Sequence, residues 1–560
     1  MADKVLGTFW GNESFPVDWT DEEEKKLHWF YDDLHCPNAI SPLYADVGGW
    51  WGPTCAYMYR RFGAPFGKGW EGKTVNGYIY SAVVPRAEEA EIARLGPYFS
   101  KVMPVYAERF LRWWQNRYLP EIKANLEYLD NFPYASSSIA ELLIHLEDAL
   151  DIQERHFRIH WILNLAQFQA FMEFRQIYSE VIGGIDEENI GKILVSEQDR
   201  NWDSLKALWE MKEFIKHSPS LMPLFRDGAD DLMAKVDSAQ DGKELADKIA
   251  AYRKEYGNKA IYTHEYIYPT WREDPTPIIE SLKNYISTDY NFFEALERCK
   301  EERDKAIEVM FGKVTGEQDR ARLQNAMNLA LQMAPLTPDH HFYIDQGTYA
   351  RMRMVFKELG KALVKEGILA GAEDIFMLKY EEIRAIAVNP EAFDVRALVK
   401  QRRDGMEKAG QIRPREWVGT VSEWSLYQEP YKTLWGWPHK FEAEQAAAEG
   451  EQNKRLLKGL PASPGVVEGI ARFVLSPAEF DSIQKGDILV CKMTNPAWVV
   501  SFTKIAGLVT DTGGALSHPA VVSREFGIPC VVGTRIATST IKNGMRIRVN
   551  GSEGSVEILD

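Results

Sequence analysis

One histidine near the C-terminus has the sequence surroundings of a reactive side chain. His518 follows the glycine pair Gly513 and Gly514 and the residue Ser517, and a helix is predicted over residues 519–526. The glycines predict a tight turn that another group can approach, and Ser517 suits a helix N-cap. A neutral imidazole at this helix N-terminus can accept a phosphoryl group, because free amides and the helix dipole stabilise an anion there. The residues alone leave open a histidine that is hydrogen-bonded for packing.

A second group of acid–base side chains lies in the middle of the chain. His340 and His341 are followed by Asp345. Imidazole and carboxylate groups can take a proton from a reacting hydroxyl near neutral pH. These three residues are therefore the candidate general bases.

Three cations follow in the next predicted helix. Arg353, Lys357 and Lys361 share one helix face because they are spaced by four residues. They could hold a phosphoryl group in transfer, since its charge is spread over three oxygens. A solvated cationic stripe is the alternative, and the sequence does not decide between the two.

Aromatic side chains in loop-like sequence could line a pocket for an aryl compound. Plain core packing is the alternative interpretation of the same residues. The candidates for the aryl pocket are Trp50, Trp51, Tyr57, Trp70 and Trp271.

Two other motifs are interpreted as coincidental. Residues 67–74 fit the P-loop pattern letter for letter, but the flanking sequence predicts neither the preceding buried strand nor the following helix that a P-loop needs. Lys73 is then at most an exposed cation near a substrate. His156 and His160 have helical i, i+4 spacing, but no further ligand lies nearby in the sequence. A packed histidine pair is predicted, and no metal site.

Composition limits the class of protein. The chain has 560 residues, 45% hydrophobic and 26% charged, as expected for a globular protein of several domains. A formal net charge of −16 argues against nucleic acid as the main partner. The start lacks an apolar leader, and the most apolar stretch, 159–174, contains polar residues that argue against a membrane span. Five cysteines without a CxxC pair favour reduced thiols in the cytoplasm.

The chain changes character after residue 440. Sixteen of the 17 tryptophans precede residue 438, and residues 456–560 are nearly neutral, with 10 Lys and Arg against 9 Asp and Glu. Before that point, residues 35–52 are predicted as loops, and Ser138 with Glu141 predicts a capping box that opens a helix through about His156. In the last part, helical periodicity is replaced by short β-type runs separated by glycines, at 487–491, 506–510, 529–533, 545–549 and 555–559. The sequence predicts a multidomain α+β protein with an aromatic-rich, irregular segment over 1–90, a mainly α-helical substrate-binding domain over 91–440, a linker over 441–457 and a β/α domain over 458–560.

The last hundred residues resemble the mobile phosphohistidine domain of the phosphoenolpyruvate-utilising enzyme family. The motifs that carry the resemblance are GLPASPGVVEGIA at 459–471, GDILVCKMTNPAW at 486–498 and DTGGALSHPAVVSREFGIPCVVGT at 511–534. His518 matches the phosphorylated histidine, while Leu516 and Pro519 replace the Thr and Ala of the best-known members. The resemblance implies a swivelling domain with Gly513, Gly514 and Ser517 around the phosphate.

The middle of the chain is similar to the helical domain of rifampin-type phosphotransferases. Residues 256–275 and 359–383 carry this similarity, with Asn258 where His is usual. Neither an ATP-grasp module nor a phosphoenolpyruvate barrel is recognisable. The arrangement resembles the phosphohistidine-bearing subunits of phenylphosphate and 4-methylphenyl phosphate synthases.

That resemblance implies a function for the chain as one subunit of a phosphotransferase. A separate ATP-grasp subunit would use ATP and Mg²⁺ to phosphorylate His518, and the phosphoryl group would pass to a phenolic hydroxyl. The overall reaction would convert ATP, water and the phenol to an aryl phosphate, AMP and phosphate. A phenol has a pKa near that of tyrosine, about 10, so its attack needs a base or cation nearby. An antibiotic or a sugar alcohol is an alternative acceptor, and a non-catalytic phosphohistidine carrier is the alternative class.

Overall fold

The computed structural model describes residues 4–559 except 34, 49–50, 87, 227–231, 413, 429–431, 433–436, 439, 443–454, 475–481, 495–497, 503 and 514–516. The architecture is multidomain α+β, as predicted. The chain forms two compact units. The first unit contains Met1–Gln169, Tyr262–Tyr268 and His340–Glu444, and the second contains Ala170–Ile261, Pro269–Asp339 and Gln445–Asp560. Residues 91–440, predicted as one domain, are thus shared by both units, and most of the predicted linker lies outside the described residues.

The first unit contains a five-stranded antiparallel sheet with the strand order β1-β5-β2-β4-β3. Its strands are β1 (Val5–Phe9), β2 (His28–Tyr31), β3 (Gly69–Val75), β4 (Tyr78–Val84) and β5 (Trp417–Ser422). The prediction that residues 1–90 are irregular was wrong, since four strands lie there. The cause is that β2 and nearly all of β4 are buried, so their sequences lack the alternation of a half-exposed strand.

Helices surround this sheet in the first unit. The Ser138–Glu141 capping box is confirmed, because Glu141 Oε2 accepts from the Ser138 amide at 2.8 Å and Ser138 Oγ accepts from the Glu141 amide at 3.3 Å. The helix that it opens continues far beyond the predicted end near His156, to Ile182. The α-helices are Trp51–Phe62, Glu89–Trp113, Leu119–Asp130, Ile139–Ile182, Leu336–His340, Gly347–Lys365, Tyr380–Val388, Val395–Ala409 and Glu423–Tyr427.

Shorter helical turns interrupt or join these helices. Three segments are π-helices: Tyr44–Gly48, Trp114–Tyr118 and His341–Gln346. Three are 3₁₀ turns: Glu24–Lys26, Tyr134–Ser136 and Ala372–Met377. The loop structure predicted for 35–52 was therefore only partly right, since a π-helix lies inside it.

The second unit combines a helical part with the C-terminal sheet. Asp199 and Asn291 begin two of its helices as N-caps, each side chain accepting from two backbone amides. Buried apolar residues of helices Phe292–Gly312 and Glu317–Met333 pack with the end of helix Ile139–Ile182. The helices are Glu187–Ile193, Arg200–His217, Met222–Arg226, Leu232–Asp237, Gly242–Tyr256, Thr276–Thr288, Phe292–Gly312 and Glu317–Met333.

The C-terminal sheet has eight strands in the order β6-β13-β12-β8-β9-β10-β11-β7. Strands β8 to β11 run parallel, and the remaining pairs are antiparallel. The strands are β6 (Leu456–Lys458), β7 (Leu460–Ser463), β8 (Val466–Phe473), β9 (Ile488–Cys491), β10 (Gly507–Thr510), β11 (Cys530–Val532), β12 (Arg546–Asn550) and β13 (Ser555–Ile558). Short helices Val499–Phe502, His518–Phe526 and Ala537–Thr540 complete this part. The five predicted β-type runs are all strands, whereas β6 to β8 were not predicted.

Two further observations concern the cysteines and the length and polarity of the helices. All five cysteines are buried free thiols. Among the described residues, none of the helices combines the length and the apolar character that crossing a bilayer requires.

Two alanine substitutions test the close packing that holds helix Gly347–Lys365. A Cβ on Gly360 would lie 2.2 Å from the backbone oxygen of Ala372. We expect Gly360→Ala to lower the free energy of unfolding by about 1–3 kcal/mol, because the 3₁₀ turn must move away. Gly405→Ala is the control, since it lies in helix Val395–Ala409 with no neighbour within 4 Å. It should raise stability by about 0.5–1 kcal/mol. Urea unfolding that shows equal effects would contradict this packing.

Candidate functional site

His518 is the first residue of a helix, in the strand–turn–helix context that the sequence predicted. Strand β10 ends at Thr510, and the helix runs from His518 to Phe526. Ser517 is its N-cap residue with extended backbone, and Gly527 ends it in the left-handed conformation with φ 64°. Backbone amides without helical partners therefore surround the position of His518.

The turn before this helix requires glycine. Gly513 has φ +117°, and a Cβ there would lie 2.7 Å from Ser517 Oγ. Gly533 packs against the same turn, since its own Cβ would lie 2.9 Å from the backbone oxygen of Gly513. Gly514, the other predicted glycine, lies outside the described residues. Glycine at 513 is therefore required by its positive φ and by the close packing of Ser517 and Gly533, and the approach of another group to this turn stays a prediction.

Hydrogen bonds hold the loop that begins at Asp511. Asp511 Oδ1 accepts from the Thr538 amide at 3.0 Å, and the Thr538 hydroxyl donates to the other carboxylate oxygen. The Thr534 hydroxyl donates to the Thr510 backbone oxygen at 2.9 Å. Residues that come later in the chain therefore hold the end of β10 in place. This positions the turn before His518.

The body of the same helix packs on the helical part of the second unit. Phe526 stacks on Tyr290 with ring centroids 5.3 Å apart and an interplanar angle of 19°. Phe502 lies on another side of Phe526 at 5.9 Å. Arg524 is buried, and its Nε donates to the Ala462 backbone oxygen at 2.7 Å. The helix that carries His518 is thus docked between the sheet and helices of one unit.

In the first unit, two predicted base residues meet a histidine from a distant helix. One ligand-type atom from each of His160, His340 and Asp345 lies within 4.8 Å of the other two. His160 Nδ1 lies 3.1 Å from Asp345 Oδ1, and His341 Nε2 lies 3.6 Å from Asp345 Oδ2. His160, His340 and Asp345 are 4%, 1% and 3% exposed, whereas the side chain of His341 is 47% exposed. The four side chains form what we call the histidine–aspartate cluster.

A π-helix brings His340 and Asp345 to the same side of the backbone. The two residues are five positions apart, which in an α-helix of 3.6 residues per turn would separate them by about 140° around the axis. Residues His341–Gln346 instead form a π-helix, in which backbone hydrogen bonds join residues i and i+5. His160 comes from helix Ile139–Ile182 and completes the group.

Two further histidines extend the group. His35 Nδ1 lies 2.7 Å from Asp32 Oδ1, and the rings of His35 and His264 are 5.1 Å apart, edge to face. His264 also packs against Tyr349 at 5.0 Å. Burial lowers the pKa of His264 well below its ordinary value, so this imidazole is neutral near pH 7.

Charge in the cluster is concentrated on Asp345. Burial alone would raise the pKa of this carboxyl, but His160 and His341 hold it well below its usual range. Asp345 is therefore ionised across the physiological range and attracts protons or cations to the imidazoles around it.

Among the described aromatic candidates, Trp70 is joined to the cluster through Trp161, and Tyr57 packs with cations. Trp70 packs on Trp161 with centroids 5.4 Å apart, and the Trp161 ring lies 5.5 Å from that of His160. Tyr57 is surrounded by cations, with the guanidinium of Arg158 5.3 Å from its ring.

The structure describes the side chain of one of the three remaining aromatic candidates. Trp271 belongs to the second unit, where Lys259 Nζ lies 5.1 Å from its ring. Trp50 lies outside the described residues. Trp51 begins a helix, and its side chain is not among the described parts.

The predicted cationic face is occupied by carboxylates. Arg353 is buried, and its guanidinium donates to Glu373 Oε1 at 2.7 Å and to the Tyr266 backbone oxygen at 2.5 Å. Lys357 Nζ lies 3.2 Å from the same Glu373 oxygen, and Lys361 Nζ pairs with Glu358 at 2.7 Å. A phosphoryl-binding role for Arg353 and Lys357 stays a prediction, and it would require that Glu373 release them.

Both motifs interpreted as coincidental have structural explanations. Residues Gly69–Val75 form strand β3, and Lys73 Nζ donates to Glu24 Oε1 at 2.7 Å, so the P-loop pattern is not a P-loop. His156 is a packed histidine whose Nδ1 lies 2.8 Å from Thr348 Oγ1. His160 is buried as well, but its partners Asp345 and His340 lie about 180 residues later in the chain.

Comparison with known proteins identifies two regions of the chain. Residues 483–554 match the family model described as the mobile domain of PEP-utilising enzymes. Residues 165–337 match the model of the fourth domain of rifampicin phosphotransferase. The first matched region includes His518 and the strand–turn–helix described above.

Individual relatives extend over more of the chain. An uncharacterised phosphotransferase, YvkC, of Bacillus subtilis is 26% identical over 98% of this chain and 63% of its own length. A rifampicin phosphotransferase of Bacillus cereus is 29% identical over 79% of this chain and 50% of its own length. A probable phosphoenolpyruvate synthase of Archaeoglobus fulgidus is 35% identical over 33% of this chain and 26% of its own length. The chain thus spans less than two thirds of each of these relatives.

The ion pair of His35 gives a prediction about pH. Burial alone would lower the pKa of His35, but Asp32 raises it above its ordinary value. A raised folded-state pKa gives stability that is fully present below the unfolded pKa of about 6.5 and is lost as pH rises through the folded pKa. Asp32→Asn should therefore cost about 1–3 kcal/mol of unfolding free energy at about pH 5.5 and less at about pH 8.5. Urea unfolding at both values measures the difference.

The control for this prediction is an exposed histidine pair. Glu213 Oε2 lies 3.9 Å from His217 Nδ1, and the His217 side chain is 77% exposed. Because solvent screens this pair, the effect of Glu213→Gln should change little between the two pH values. A cost for Asp32→Asn that is equal at both pH values would show that the His35 charge does not contribute.

Proposed function

We propose that this chain is a phosphotransferase that carries a phosphoryl group on His518 and passes it to a hydroxyl acceptor bound by the first unit. The observation that carries the proposal is the position of His518 as the first residue of a helix after a glycine turn, inside the region that matches the PEP-utilising mobile domain. Open amides at this helix start suit a phosphoryl group.

The first half-reaction loads the histidine. In the proposal, ATP and Mg²⁺ bind to a separate ATP-grasp subunit, as the resemblance to aryl phosphate synthases implies. A nitrogen of His518 attacks the β-phosphorus of ATP, the new N–P bond forms, and the bond from that phosphorus to the α,β-bridging oxygen breaks, so that AMP leaves with the electron pair. Water then cleaves the γ-phosphoryl group from the histidine-bound pyrophosphoryl group and releases phosphate. Gly513 lets the chain make the sharp turn that precedes His518, because its φ of +117° and the Ser517 side chain against it leave no room for a Cβ.

The second half-reaction transfers the phosphoryl group from His518 to the acceptor. The acceptor oxygen bonds to phosphorus, the N–P bond breaks, and its electron pair returns to the imidazole of His518. The hydroxyl proton must go to a base, and the histidine–aspartate cluster offers one: imidazoles beside an ionised Asp345. Arg353 and Lys357 are the cations proposed near the transferring group.

The acceptor is most simply an antibiotic-type or other alcohol, because rifampicin phosphotransferases are among the relatives that cover most of this chain. The phenol or 4-methylphenol acceptor is a narrower candidate. What supports an aromatic acceptor is the pair Trp70 and Trp161 beside His160. Both acceptor classes present a hydroxyl and require the same base.

Labelling tests the carrier step. The protein, mixed with an ATP-grasp partner and ATP labelled at the β-phosphate, should acquire an acid-labile, alkali-stable label. We expect His518→Ala to abolish the label, because the nucleophile is gone. His217→Gln removes an exposed histidine on a helix of the same unit and should keep the label. A His518→Ala protein that is still labelled and still phosphorylates an acceptor would disprove the proposal.

A single-turnover experiment tests the transfer step. Phosphorylated protein is mixed with rifampicin, phenol, 4-methylphenol and a sugar alcohol, and loss of label is followed. Asp345→Asn should leave loading of His518 intact but slow the transfer by about 10²–10⁴-fold, the usual range for loss of general base catalysis. The preferred acceptor distinguishes the hypotheses of an antibiotic, a phenol and a sugar alcohol as the substrate. Failure of every acceptor would favour a non-catalytic carrier.

A further inference from the structure

We infer that His160, His340 and Asp345 form a binding site for a divalent transition-metal ion such as Zn²⁺. The three side chains come from two regions of the sequence that are about 180 residues apart, and one ligand atom of each lies within 4.8 Å of the other two. The site stands on this geometry alone and does not depend on the proposed phosphotransfer.

The spacing of the ligand atoms suits an ion in the centre of the group. Ligands about 2.0–2.1 Å from a tetrahedral Zn²⁺ lie about 3.3 Å from each other. His160 Nδ1 and Asp345 Oδ1 are already 3.1 Å apart. The rings of His160 and His340 are 4.9 Å apart between centroids. A ring nitrogen of His340 lies within 4.8 Å of both of these atoms, and metal binding would draw it closer.

The kind of ligand selects the kind of ion. Two imidazoles and one carboxylate suit Zn²⁺ and the neighbouring first-row metals, whereas Mg²⁺ and Ca²⁺ prefer sites made of oxygen ligands. All three residues are at least 96% buried. Three protein ligands also leave a coordination position for another molecule, as catalytic rather than structural zinc sites do.

A neighbouring side chain is placed to orient the carboxylate. His341 Nε2 lies 3.6 Å from Asp345 Oδ2, the oxygen that does not face His160. Ligating carboxylates are commonly held by such an outer partner, whose loss weakens metal affinity by about 10–100-fold. The π-helix His341–Gln346 fixes both residues and therefore the direction of the carboxylate.

A metal here would change the second half-reaction. If the proposed function holds, the ion would lower the pKa of an acceptor hydroxyl and so supply the acidity that an alcohol or phenol lacks. Asp345 would then act as a ligand rather than as part of a proton acceptor.

Metal titration tests the site in the full-length protein. Protein freed of metal by a chelator is titrated with Co²⁺, which is followed by its visible absorption, and Zn²⁺ is then added as a competitor. We expect one equivalent to bind the natural protein. His160→Gln and Asp345→Asn should each weaken binding by more than 100-fold, and His341→Gln by about 10–100-fold. His217→Gln should bind as the natural protein does.

A second measurement does not depend on the folding of the variants. X-ray absorption of the Zn²⁺-loaded natural protein should show two imidazole ligands and one or more oxygen ligands. The inference would be overturned if the natural protein bound no stoichiometric metal, or if the bound metal had one imidazole ligand or none. It would also be overturned if folded His160→Gln and Asp345→Asn proteins bound the metal unchanged. Loading of His518 with phosphate is assayed separately and should be the same in these variants, so failure of one proposal is distinguishable from failure of the other.

Discussion

The burial of the Asp345 carboxylate constrains the first unit. An ionised carboxylate that is almost fully removed from water is very costly unless it is paired, so the chain must bring cations, protons or a metal to it. The histidines at 160 and 341 face its two oxygens, and the ring of His340 packs on both of theirs. Helix Ile139–Ile182, the π-helix and the aromatic residues around them hold this group together.

The two halves of the proposed chemistry make different demands on the chain. His518 requires open backbone amides and a glycine turn, which the end of a parallel strand followed by a helix provides. Ionising an acceptor requires instead a dry, charged group with fixed geometry, and the histidine–aspartate cluster has these properties. The first requirement is local in sequence, whereas the second is met by contacts between distant segments.

This difference explains how much could be predicted from the sequence. The capping box at Ser138, strands β9 to β13 and the helix ended by Gly527 follow from neighbouring residues, and all were predicted. The Asn76 and Gly77 pair, with φ 50° and 87°, forms a two-residue hairpin turn between β3 and β4 whose signal was present but was not used. The partners of His160 could not be predicted, because they depend on the π-helix and on a contact between distant segments. For the same reason, the pairing of Arg353 with Glu373 was not visible in the spacing of cations along one helix.

The stack of Phe526 on Tyr290 has a kinetic meaning for a domain that carries a group from place to place. Such a domain must leave its resting contact before it can deliver, and separating two flat rings exposes apolar surface to water. If the domain carries the phosphoryl group as proposed, this aromatic pair would slow its departure from the helices, and a weaker pair would shorten each stay. The duration of one delivery cycle would then be governed by two side chains that take no part in the chemistry.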